Sequence, residues 1–145
     1  MAVRLDLPKF KQQVEAASKE IVVDLDVIVR AVALNLFDDI IKQTPVDTGA
    51  LRGSWVLSVN HIAASGGDTT SSAQTKLSSA GLGDIVYISN HLPYARVIEY
   101  GEYPGKGPKT TADGYSTQAP RGIVRVCVQR QAMKFRREIR KIGRR

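Results

Sequence analysis

Cysteine occurs once in the 145 residues, as Cys127. One thiol cannot build an internal disulfide framework or a cysteine-rich metal site. Histidine is nearly as scarce: His61 and His91 are too few for a histidine-built zinc centre unless carboxylates help. No long hydrophobic run exists. The most apolar stretch, residues 21–37, is interrupted by Asp24, Asp26, Arg30 and Asn35, which excludes a membrane span. The first ten residues carry Arg4, Asp6 and Pro8 and no apolar core, so no signal peptide is expected. Acidic residues almost vanish from the end of the chain, where Glu138 stands alone after residue 120.

What remains is ordinary globular material. Hydrophobic residues make up 43% and charged residues 24%, which argues against a wholly disordered chain. The length fits a single domain over 1–145, soluble and either intracellular or part of a virion. The formal net charge is +7, and it is unevenly held. Residues 121–145 contain ten basic residues against one acidic, or +9, while the other 120 carry eleven against thirteen, or −2. A basic tail of this kind meets nucleic acid, an acidic protein surface or solvent alone.

Apolar residues recur at Leu7, Phe10, Val14, Ala17, Ile21, Leu25, Ile28, Val32, Leu36 and Ile40, close to the helical period. Asp6 is a candidate cap, Pro8 is tolerated in the first turn, and Pro45 ends the helix. The β-branched runs 21–23 and 27–29 suggest a break near Glu20 to Val23. From Ile21 onward Val22, Val29, Ala33 and Phe37 widen the apolar face. It reads as a central core helix, or as one that also packs on a neighbouring subunit. A short helical turn capped by Asp47 or Thr48 and ended by Gly53 comes next. Strands are expected at 55–61 and 85–89, a short helix at 94–100 stopped by Gly101, and a third strand at 123–128. Residues 63–84, rich in Ser, Thr and Gly, read as an extended loop with little core of its own, suited to contacts between proteins. Residues 101–121 form another loop. The last segment, 121–145, is read as strand then basic helix, with Ala132, Phe135, Ile139 and Ile142 on one stripe. The order predicts an α+β fold: a long N-terminal helix on a small antiparallel sheet, with long loops and a basic C-terminal helix.

Chemistry-bearing constellations are few. The Gly101-Glu102-Tyr103-Pro104-Gly105-Lys106-Gly107 run has the wrong spacing for a phosphate-binding loop and no Ser or Thr after Lys106. Cys127 sits in a β-branched apolar run and reads as a buried core residue. Asp38 with Asp39, and Asp24 with Asp26, are spaced so that neither pair shares one site on a helix. No cofactor, metal or catalytic set is expected. The basic segment offers Arg130, Lys134, Arg136, Arg137, Arg140, Lys141, Arg144 and Arg145 for contact with a partner or with DNA phosphates. It has no aromatic interleaving and no major-groove reader, so sequence-specific recognition is not expected.

Two motifs remain: Thr44-Pro45-Val46-Asp47-Thr48-Gly49-Ala50-Leu51-Arg52-Gly53-Ser54-Trp55 and Tyr94-Ala95-Arg96-Val97-Ile98-Glu99-Tyr100-Gly101. Together, with the 119–125 run, they resemble the tail-completion (neck) proteins of long-tailed bacteriophages over roughly residues 25–140. The resemblance makes Pro45, Asp47, Thr48, Gly49, Leu51, Arg52, Tyr94, Glu99, Tyr100 and Gly101 structural motif residues. It implies a virion protein, made in the host cytoplasm, with no enzymatic activity. Its partners would be further copies of itself in a ring, usually sixfold, the tail tube or terminator, and the head connector or stopper, with DNA in the lumen. A small basic DNA-binding or packaging accessory protein and a tail-tube terminator ring are the alternatives.

Overall fold

The computed structural model describes residues 7–144. The expected Asp6 cap and the contact residue Arg145 therefore lie outside the described residues. Helix α1 (Leu7–Gln43) is one unbroken helix of 37 residues. The expected break near residues 20–23 does not occur: β-branched residues lower helix propensity only by tenths of a kcal/mol, and the ladder runs through them. A short turn of helix, α2 (Ala50–Gly53), leads into β1 (Trp55–Val59). Then come α3 (Thr70–Leu77), β2 (Val86–Asn90), α4 (Pro93–Tyr100) and α5 (Val124–Ile142).

The two strands pair antiparallel, with Leu57 opposite Ile88 and Val59 opposite Val86. Trp55, Leu57, Val59, Val86 and Ile88 point into the core, where they meet Phe37 and Ile40 of α1, Leu51, Ile98, Ala119, Ile123 and Cys127. The burial expected for Cys127 is thus observed, and apolar surroundings raise its thiol pKa. Helices α5 and α3 both lie along the second half of α1, where Gln131 reaches Asp39 and Thr70 reaches Asp38.

Two further sequence expectations are corrected. Residues 63–84 are not a bare loop outside the fold. They contain α3, which opens with a capping box: the Thr69 hydroxyl accepts from the Ser72 N–H at 3.2 Å and the Thr69 N–H donates to Ser72 Oγ at 3.0 Å. Ala73, Leu77 and Ala80 are buried against the core. Small residues allow this segment to approach α1 closely, where Thr70 donates to Asp38 at 3.1 Å and the Leu82 N–H donates to Asp26 at 2.6 Å. Its first residues also seal the outer edge of β1. The Asp68 N–H donates to the Trp55 carbonyl at 2.8 Å, the Leu57 N–H to the Asp68 carboxylate at 2.9 Å, and Lys76 to the Leu57 carbonyl at 3.1 Å.

The second correction concerns 123–128, expected as a third strand. Apart from Ile123, these residues form the first turn and more of α5. The cause is a tertiary helix cap, described next.

Candidate functional site

The first motif closes the C-terminus of α1. Pro45 cannot continue the helix, and the last carbonyl before it, that of Thr44, is taken by the Arg52 guanidinium through Nε at 3.2 Å and Nη2 at 2.8 Å. Thr44 is fully buried. Its hydroxyl donates to the Ile40 carbonyl at 2.6 Å and accepts from the Trp55 indole N–H at 2.9 Å. One threonine thus joins the end of α1 to the start of β1. Gly49 follows in the left-handed region at φ 86 and is itself the N-cap of α2, without a side-chain cap. Thr48 accepts from the Ala50 N–H at 3.3 Å. Asp47 is exposed and accepts no hydrogen bond from a described residue, so of the two expected caps, Asp47 or Thr48, only Thr48 bonds the start of α2, from the residue before the N-cap.

The second motif builds the cap of α5. Pro93 is the first residue of α4 and Gly101, at φ 69, ends it. Near that end Glu99 is buried and turns its carboxylate onto the N-terminus of α5. It accepts from the N–H groups of Ile123 at 2.6 Å, Val124 at 2.7 Å and Arg125 at 3.1 Å, and from Arg125 Nε at 3.0 Å. These are the donors a helix start leaves without intrahelical partners, and the carboxylate also meets the positive end of the helix dipole. Burial pushes the Glu99 pKa up, but the three backbone N–H groups and the guanidinium outweigh it and hold the carboxyl below its ordinary range.

Arg125 then ties the assembly together. Its guanidinium donates to the Glu99 carbonyl and to the Tyr115 hydroxyl, the latter at 3.0 Å, and lies 5.1 Å from the centre of the Tyr100 ring. Arg96 sits over the same ring at 5.5 Å and pairs with Glu102. The crowding explains two glycines. A Cβ on Gly101 would meet the Tyr115 ring at 2.6 Å, and one on Gly122 would meet the Glu99 carbonyl oxygen at 2.6 Å.

The two motifs face each other across a cleft of about 460 Å³. It is lined by Pro45, Val46 and Leu51 from the first motif, Tyr94 and Ile98 from the second, and Tyr103 and Lys109 from the loop that follows. Its lining carries no nucleophile–base pair. No group of three or more His, Cys, Asp or Glu that could hold a metal occurs among the described residues. The arrangement offers an apolar surface with a polar rim, suited to docking a protein segment.

A family model described as "Bacteriophage HK97-gp10, putative tail-component" matches residues 8–101, about two thirds of the chain. The chain belongs to this family. As a family member it is a structural component of a phage tail, and its setting is the virion among other phage structural proteins. The match ends on Gly101, the residue that stops α4, so it spans both motifs and the whole sheet. The 102–123 loop and α5 lie beyond it. No curated protein and no solved structure matches the chain. No described helix is long and apolar enough to cross a membrane.

Helix α5 gathers the other expected residues. Cys127 and Gln131 are buried on its inner side, and Ala132, Phe135, Ile139 and Ile142 are half-buried. Arg130, Lys134, Arg136, Arg137, Arg140, Lys141 and Arg144 are all exposed. Arg130 lies 3.7 Å from Asp39 and Lys141 2.8 Å from Glu138, so two of these cations have acidic neighbours. The structure thus keeps the motif residues and the basic residues in separate places: the former around the cleft and the α5 cap, the latter along the outside of α5. Sequence reasoning missed Thr44, Tyr115, Gly122 and the structural part of Arg125. Arg125 stood in the charge count, in the expected 123–128 strand and in the 119–125 run, and no spacing rule links it to a glutamate 26 positions earlier.

Proposed function

We propose that this tail component is a subunit of the neck ring that completes the tail and joins it to the capsid connector, with DNA passing through the lumen. The observation that carries the reading is the exposed row of cations on α5, held against α1 by an uncharged inner side and presented by an otherwise slightly acidic chain. Repeated around a ring, such a row creates a strong positive field that an anionic partner would balance. That partner is DNA phosphate on the lumen wall or the acidic rim of an adjoining ring. The rigid attachment of α5 through Glu99 supports the reading, because a charged row has a defined direction only when its helix is fixed.

The test is complementation of a phage lacking this gene, scored by counting free heads and free tails. Arg137→Glu with Lys141→Glu is expected to fold normally and to leave heads and tails unjoined, while single Arg→Ala changes have little effect. Normal particle yield from the double reversal would overturn the role given to the basic row. Purified protein adds a second measurement: contact with DNA phosphates would weaken steeply as salt rises.

A further inference from the structure

We infer that the first half of α1 is an arm whose apolar seam packs against a second copy of this chain; the inference deepens the ring reading above and rests on it. Every described side chain from Pro8 to Val23 is exposed, whereas those of Leu25, Ile28 and Val32 are half-buried and those of Phe37 and Ile40 fully buried. The apolar stripe that Leu25, Ile28 and Val32 share by helical spacing with Val14 and Ile21 therefore becomes exposed toward the N-terminus. Val14 is 47% exposed and Ile21 45%, high values for large apolar residues on a helix. Val22, Val23 and Val27 are also exposed, and they widen the apolar surface near the point where the arm leaves the body.

Three observations say what covers it. The first is spacing. From Leu7 through Phe10, Val14 and Ala17 to Ile21 the sequence steps are three, four, three and four, whereas beyond Leu25 they are mostly four. The alternating step is the heptad seam that meshes with another helix of the same pattern, so a second copy carries a matching surface. The second is charge. From Pro8 to Asp24 the sequence holds Lys9, Lys11 and Lys19 against Glu15, Glu20 and Asp24, a balance of zero on a molecule of net +7. A neutral seam adds no local repulsion where two positively charged copies meet. It suits neither DNA phosphates nor a membrane surface, both of which call for a lysine- or arginine-rich face. The third is propensity. Residues 21–23 are poor helix formers, and helical stability in such segments comes from packing of the apolar face. The sixteen residues from Pro8 to Val23 span about 24 Å, and a seam of that length between two helices buries on the order of 1,000 Å² in total, enough for a specific contact.

Sedimentation of the purified full chain tests the inference. At tens of micromolar the wild type is expected to sediment above the monomer. Val14→Asp with Ile21→Asp should weaken self-association at least tenfold, while Gln12→Asp with Ala16→Asp, on the opposite side of the helix, should not. Fluorescence of the single tryptophan, Trp55, which is buried in the body, reports whether each variant stays folded. Ala17→Leu enlarges the seam and should tighten association, an effect that misfolding cannot mimic. A monomeric wild type, or a seam variant that associates like the wild type, would overturn the arm. An oligomer that survives the seam variant would do so while leaving the ring intact. Loss of the neck role itself is read separately, by the head and tail counts of the charge-reversed protein.

Discussion

Glu99 is the residue on which most of the C-terminal half depends. Its carboxylate satisfies three backbone N–H groups and a guanidinium at a buried position, so Glu99→Ala should lower stability by about 3 kcal/mol, read from urea unfolding. Its acid response has a definite sign. The folded-state pKa lies below the ordinary value, so the stability it supplies is fully present above that value. As pH falls from about 5, the unfolded chain takes up its proton first and stability declines until the folded carboxyl protonates as well. Asp38, Asp68 and Asp84 are shifted the same way and add to the slope. Urea midpoints from pH 7 to pH 3 should therefore fall for the wild type and fall less for Glu99→Gln. Gly101 gives a steric counterpart. Gly101→Ala, at φ 69 and against the Tyr115 ring, should cost about 1–3 kcal/mol, whereas Gly105→Ala, with open space around it, should change the melting temperature little.

Among the elements, α3 reverses an expectation and is the easiest to test. Leu77 is buried, so Leu77→Ala should cost about 2–4 kcal/mol. Replacing 63–84 by a Gly/Ser linker should unfold the protein, as circular dichroism would report, because the segment carries core residues and the Asp68 and Lys76 contacts that seal β1. The long helix, the two strands, α4 and the Pro45 and Gly101 stops were legible in the sequence because each depends on period or on local backbone chemistry. Helix α3 was not. It buries one alanine and one leucine, and a Ser/Thr/Gly-rich composition hides so slight an apolar face. The start of α5 was misread for another reason: Val124, Val126 and Val128 favour strand locally, and the carboxylate that makes them helical comes from a distant element. The motif residues stood out as a set, but their joint purpose, closing one helix and opening another, needed the fold.

Taken whole, the molecule is a strongly polarised object, with a neutral apolar arm at one end of α1 and a row of cations on α5. Attraction between copies through apolar contact competes with repulsion between their net charges. Raising salt from about 50 to about 500 mM should therefore tighten self-association, since screening removes the repulsion and leaves the seam. Binding to DNA would respond in the opposite direction, so one titration followed by sedimentation separates the two contacts. The Glu99 cap also has a consequence for how the chain is made. Synthesis runs from the N-terminus, so the carboxylate leaves the ribosome well before the amides it will hold. Until α4 has folded, residues 123–128 are a β-branched, apolar stretch with a single charge, the composition that seeds intermolecular strands. Capture by Glu99 winds that stretch into a helix and withdraws it from such pairing. Loss of the glutamate should then appear in the expressing cell first as insoluble protein, ahead of any change in the properties of the fraction that folds.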